Sequence, residues 1–185
     1  MWAREQGGVV AEVTDRDPAG RYHPDIQWVP VPDALRHWVE PGTWSVTEAG
    51  AVAPPSLDAM ADRAKARLAG IRYEREVGGT ALPDGTTVPT KREDQSMAHG
   101  AYQALQAGLI DSTDFKTPSG WVQNAGLEQI APIARAVAAH VDRCFRAERQ
   151  VAEQIDAAED AEALAAIDLA AAFDAAYAAL ADASV

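Results

Sequence analysis

The sequence predicts an α+β fold: a small N-terminal β unit, then a mainly helical domain with short β-hairpins and a long C-terminal helical region. Three observations predict it. Four of the five tryptophans, Trp2, Trp28, Trp38 and Trp44, sit near the start, among short β-type runs broken by Gly and Pro. Downstream, apolar residues recur at spacings of three and four. Residues 161–185 are mostly alanine, the strongest helix former.

The β unit is expected over residues 1–47. WAREQ and VVAEVT flank Gly7-Gly8, a two-residue hairpin signal. DPAGRYHPD reads as loop. IQWVPV reads as an edge strand, because Pro30 and Pro32 cannot donate to a central ladder. TWSV (43–46) is a last short strand. Such a piece buries little surface alone, so its tryptophans are expected to pack on the rest of the chain or on a partner. Residues 48–55, with Pro54-Pro55, read as a linker.

A helical domain is expected over 56–160. Ser56 is placed to cap a helix whose apolar stripe is Met60, Ala64, Leu68 and Ile71, ending at Val77-Gly78-Gly79. TALPDGTTVPT is a hairpin around Asp84-Gly85. A helix from about Arg92 to Ala107 presents Met97, Ala101 and Leu105 and stops at Gly108. DFKT–PSG–WVQ is a third hairpin, turning at Pro118 and Gly120. From Leu127 the apolar positions Ile130, Ala134, Val137, Val141, Cys144, Val151 and Ile155 form a seam for packing along another helix, broken by Glu148. Pro132 is expected to kink its first turns or to mark where the regular helix begins. Residues 161–185 form an acidic, alanine-rich helical end.

Composition narrows the function classes. Apolar residues make up 48% of the chain, as in folded proteins. No apolar run approaches a bilayer span, and Met1–Val10 lacks the order of a signal peptide, so no membrane contact is expected. One cysteine, Cys144, excludes an internal disulfide and fits a reducing compartment. The net charge of −12 concentrates at the C-terminus, where residues 150–185 hold eight acids and no base. That surface repels phosphates, so nucleic acid is not the expected partner.

Candidate chemistry is sparse. His140 and Cys144, four apart on a helix, have the spacing of two metal ligands, but the chain offers no CxxC or HxxxH to complete a site. Cys144 as a nucleophile would need His140 as base and Asp142 as orienter, yet residues two apart point different ways. Asp111 and Asp114 near Lys116, and the run DAAEDAE, lack the spacing of a calcium loop or a glycosidase pair. No catalytic residue, metal or cofactor is therefore expected, and the protein reads as non-enzymatic. Arg63, Lys65, Arg67, Arg72 and Arg75, diluted by Glu74 and Glu76, form an exposed face expected to meet the acidic residues 150–185, in cis or from a second copy.

RAKARLAGIRYEREVGG, LPDGTTVPTKREDQ, DFKTPSGWVQ, AVAAHVDRCFRAERQVAEQID and AEALAAID, in that order, resemble a domain-of-unknown-function family found in tail-fibre and tail-assembly proteins of tailed bacteriophages. The resemblance spans about residues 64–168. The usual Trp-Lys pair of its third hairpin is replaced here by Phe115-Lys116. MWAREQGGVVAEVTDRDPAGRYHPDIQWVPVPD is similar to the opening of short phage tail proteins. The resemblance carries no catalytic motif. It implies a virion protein, made in the host cytoplasm, that bridges the tail tip or baseplate to a fibre or receptor-binding protein. The alternative it implies is a chaperone escorting the fibre during assembly. Trp2, Trp28, Trp38, Trp44, Phe173 and Tyr177 are the candidate partner-binding residues, and a homo-oligomer is expected.

Overall fold

A computed structural model describes residues 1–117 and 120–182. The chain divides into two compact units, one of residues 1–67 with 152–172, the other of 68–151 with the residues from 173 onward.

The first unit is built on a five-stranded sheet ordered β3-β1-β2-β4-β5. Strands β1 (Trp2–Gln6) and β2 (Val9–Thr14) pair antiparallel across Gly7-Gly8. Both glycines have positive φ, 65° and 80°, the conformation a two-residue hairpin turn of the right twist requires. Strand β3 (Trp28–Pro30) lies at the sheet edge, where Pro30 loses no ladder bond. Strand β4 (Ser45–Val46) pairs with β2 and also with β5 (Val52–Ala53). Residues 48–55 are therefore not a linker. Gly50 and Ala51 close a tight turn onto Thr47, and the buried Val52 carries the chain back into the sheet. Ala3, Val10, Val31, Leu35, Trp38, Val39 and Trp44 are buried. Helix α1 (Leu57–Val77) starts as expected, with Ser56 Oγ accepting from the Ala59 N–H at 3.0 Å.

In the second unit, β6 (Thr80–Ala81) and β7 (Thr87–Val88) form the Asp84-Gly85 hairpin. The Asp84 carboxylate, which accepts from the Thr86 N–H, is held below the usual carboxylate range by that bond. Helix α2 (Arg92–Gln106) buries Ala98 and Leu105 and half-buries Ala101, while Met97 is 55% exposed. Leu105 and Ala101 thus keep their expected places, and Ala98 takes the place of Met97. Strands β8 (Thr113–Thr117) and β9 (Gly120–Ala125) pair as the third hairpin, though Pro118 and Ser119 of its turn lie outside the described residues.

Helix α3 (Leu127–Asp156) runs unbroken through Pro132. Its buried positions include Ile130, Ile133, Val137, His140, Cys144, Ala147, Val151 and Ile155, alternating by three and four up to Val151. The expected seam holds in period and at Ile130, Val137, Cys144, Val151 and Ile155, but differs at other positions. His140 and Ala147 belong to it, whereas Leu127 is 40% exposed and Ala134 and Val141 are half-buried. Glu148 does not interrupt the seam, because Ala147 carries it past that turn. The alanine-rich end is two helices, α4 (Ala161–Ala165) and α5 (Leu169–Asp182). Asp160 and Asp168 accept backbone N–H bonds at their starts, which explains the break.

Candidate functional site

A polar cluster in the second unit centres on Glu76, the penultimate residue of α1. Its side chain is fully buried. Arg72, one helical turn earlier, pairs with it, and Arg92 Nε stands 3.2 Å from its other oxygen. Gln95 Nε2 donates to the same oxygen at 3.2 Å. Arg72 also donates to Glu148 at 3.0 Å, so the guanidinium bridges two carboxylates. The face expected to be exposed is so at Arg67, Glu74 and Arg75, but Glu76 lies inside and Arg72 is 13% exposed. A buried carboxylate is tolerable only with such a complement of donors.

The carbonyl end of α1 is closed by the same group. Thr90, fully buried, donates its hydroxyl to Glu76 O at 2.6 Å and accepts from the Gly79 N–H. Gly79 has φ +96°, and a Cβ there would stand 3.3 Å from Val88 O, so glycine is required. His140 Nε2 lies 3.1 Å from Arg75 O and 3.2 Å from Glu76 O. Two carbonyls facing Nε2 place the hydrogen there, so Nδ1 is left to accept from the Tyr177 hydroxyl at 2.7 Å. Burial holds the His140 imidazole below its ordinary pKa, against the pull of the two carbonyls, so the ring is neutral. Helix α1 therefore ends on a histidine and a threonine that satisfy its last carbonyls.

This geometry assigns His140 and Cys144. Cys144 Sγ lies 3.9 Å from His140 Nε2, the nitrogen that carries the hydrogen, which cannot take a proton from the thiol. Burial first, and Glu76 second, push the thiol up to about 11. A thiolate nucleophile needs the opposite environment. The partner of His140 Nδ1 is Tyr177, not Asp142, which pairs with Arg146. Three of the remaining candidate carboxylates have local tasks. Asp114 accepts from the N–H of Asn124, whose φ of 50° marks a bulge, Asp156 pairs with Lys65, and Asp160 caps α4. Among the described residues no three His, Cys, Asp or Glu side chains are grouped to hold a metal. None of the described helices is long and apolar enough to cross a membrane.

The six partner-binding candidates separate. Trp38 and Trp44 are 4% and 3% exposed and Phe173 is fully buried, so these three are core residues, not a docking surface. Trp38 is further covered by Arg67, 4.8 Å from its ring centroid. Tyr177 is half-buried, flanked by Arg75 and Arg143 and bonded to His140. Trp2 and Trp28 remain half-exposed. The basic segment meets the acidic end in cis at two places, Lys65 with Asp156 and Arg75 with Asp174.

Residues 59–182 match the model of a family described as a domain of unknown function, DUF4376, over about two thirds of the chain. The chain belongs to the DUF4376 family. The DUF4376 match contains the whole Glu76–His140–Tyr177 cluster and leaves out β1 to β5. No curated protein and no solved structure matches the chain.

Sequence reasoning missed Glu76, Thr90 and Gln95. One signal was available: the spacing of four that links Met60, Ala64 and Leu68 continues onto Arg72 and Glu76. Trp121, 63% exposed beside Lys116 on the third hairpin, and Tyr22, in the loop before β3, were also overlooked as surface aromatics.

Proposed function

We propose that this DUF4376 protein is a non-enzymatic tail component of a tailed bacteriophage, bridging the tail tip or baseplate to a fibre or receptor-binding protein. The observation that carries the reading is the use of its reactive side chains. His140, Cys144, Glu76 and Tyr177 spend their hydrogen-bonding capacity inside the fold, at the end of α1 and on the α3 seam. Half-exposed Trp2 and Trp28 and exposed Trp121 are left for contact with other chains. The resemblance of residues 64–168 to tail-fibre and tail-assembly proteins, within the DUF4376 match, supplies the tail.

Mass spectrometry of purified particles tests this. The bridging role predicts the chain at a level stoichiometric with other tail proteins. Its absence from particles, with fibres lost on deletion, would replace bridging by the assembly-chaperone role. Absence without any effect of deletion on infectivity would overturn both.

A further inference from the structure

A cavity of about 440 Å³ opens in the first unit, between the loop of residues 15–27 and the N-terminal strands. Three aromatic rings wall it, Trp2 from β1, Trp28 from edge strand β3 and Tyr22 from the loop. Tyr22 and Trp28 lie with ring centroids 4.8 Å apart at 42°. Asp17 and His23 supply polar atoms, and no Lys or Arg lines the space. Asp17 is held in place, since its Oδ1 accepts from the Ala19 N–H at 2.9 Å.

Three aromatic rings and a carboxylate make a receptor for a cation, which the rings attract through their quadrupoles and the carboxylate by charge. The chain uses this pairing repeatedly. Trp38, Trp121, Phe145 and Tyr177 each carry an Arg or Lys of the chain within 6 Å of their centroids. By contrast, Trp2, Tyr22 and Trp28 face a space that no Lys or Arg lines. A second observation concerns Trp28 itself. Its indole N–H is buried and has no acceptor, alone among buried side-chain polar atoms of the described residues. The chain itself thus leaves this one donor of the aromatic wall unsatisfied.

We propose that Trp2, Tyr22, Trp28 and Asp17 bind an arginine or lysine side chain of a partner polypeptide. The net charge of −12 favours such a partner at longer range. The proposal deepens the docking reading by naming what Trp2 and Trp28 take. It rests on that reading only for the partner being a protein.

The test is an NMR titration of the full chain, following the tryptophan indole signals, with N-acetylarginine methylamide as probe. Its neutral citrulline counterpart, tetramethylammonium and maltose serve as separate arms. Saturable shifts of the Trp2 and Trp28 signals are expected with the arginine probe, and weaker ones with tetramethylammonium, which cannot donate a hydrogen bond to Asp17. Asp17→Asn keeps an acceptor for the Ala19 N–H and should weaken arginine binding about fivefold to tenfold. Unmoved Trp38 and Trp44 signals in that variant verify the fold. Binding of the citrulline probe as tight as arginine, preferential response to maltose, or no shift with any probe overturns the cage. Such a failure with the chain still present in purified particles would leave the tail role standing.

Discussion

Glu76 places a carboxyl group in the protein interior, where Arg72, Arg92 and Gln95 surround it. Removing it strands Arg72 at 13% exposure between its former partner's site and Glu148. Breaking a buried pair by deleting one side costs about 3–5 kcal/mol, so Glu76→Ala should lower stability by roughly that amount in urea denaturation. Glu74→Ala, at an exposed position two residues away, should change it by less than about 0.5 kcal/mol. Equal effects would mean that the network contributes nothing. His140 gives a pH signature. It is neutral in the fold, with its pKa below the ordinary 6.5, whereas the unfolded chain protonates near that value. Stability attributable to His140 is complete above 6.5 and falls as the pH drops through 6.5 toward the depressed folded-state value. His140→Gln should be less stable at neutral pH and lose less of its stability on acidification than the parent chain does. The Cys144 thiol, pushed up to about 11 and fully buried, should resist iodoacetamide in the native state and react once urea unfolds the chain. Native labelling as fast as unfolded labelling would contradict its place on the seam.

At the scale of elements, helix α3 shows what a sequence reveals and where it stops. Its period of three and four was legible, because Ile130, Val137, Cys144, Val151 and Ile155 keep it without help. The membership of His140 was not, because a polar residue on an apolar seam becomes readable only when its partners are known. Those partners are carbonyls of α1 and a hydroxyl of α5, distant in sequence and brought close only by folding. The edge placement of β3 was legible from Pro30, whereas β5 was hidden in a Pro- and Ala-rich stretch whose composition suggests a linker. Trp38 makes the same point. Aromatic richness in a small unit suggested a docking face, but the ring is 4% exposed and covered by Arg67. Trp38→Ala should therefore destabilise the first unit by about 3–5 kcal/mol, measured by thermal or chemical denaturation. A neutral result would return Trp38 to the surface.

For the whole molecule, the charge pattern bears on the kind of partner that the proposed docking role would take. Its net charge of −12 is partly used internally, as Lys65 meets Asp156 and Arg75 meets Asp174. Both pairs are exposed, so their coupling in double-mutant cycles should be small and should fade as salt shortens the screening length to about 3 Å near 1 M. Under the proposed docking role, the acids not used in this way favour a basic partner at long range. The central claim is that the chain works by attachment, through the half-exposed aromatics of its N-terminal unit. Cross-linking mass spectrometry on intact purified particles tests it most directly, with a reagent that joins carboxylates to lysines. The account predicts cross-links from Asp15, Asp17 or Asp25 to a fibre or baseplate protein. Particles that contain the chain but yield no link from that loop to any tail protein, or particles without the chain, would contradict it.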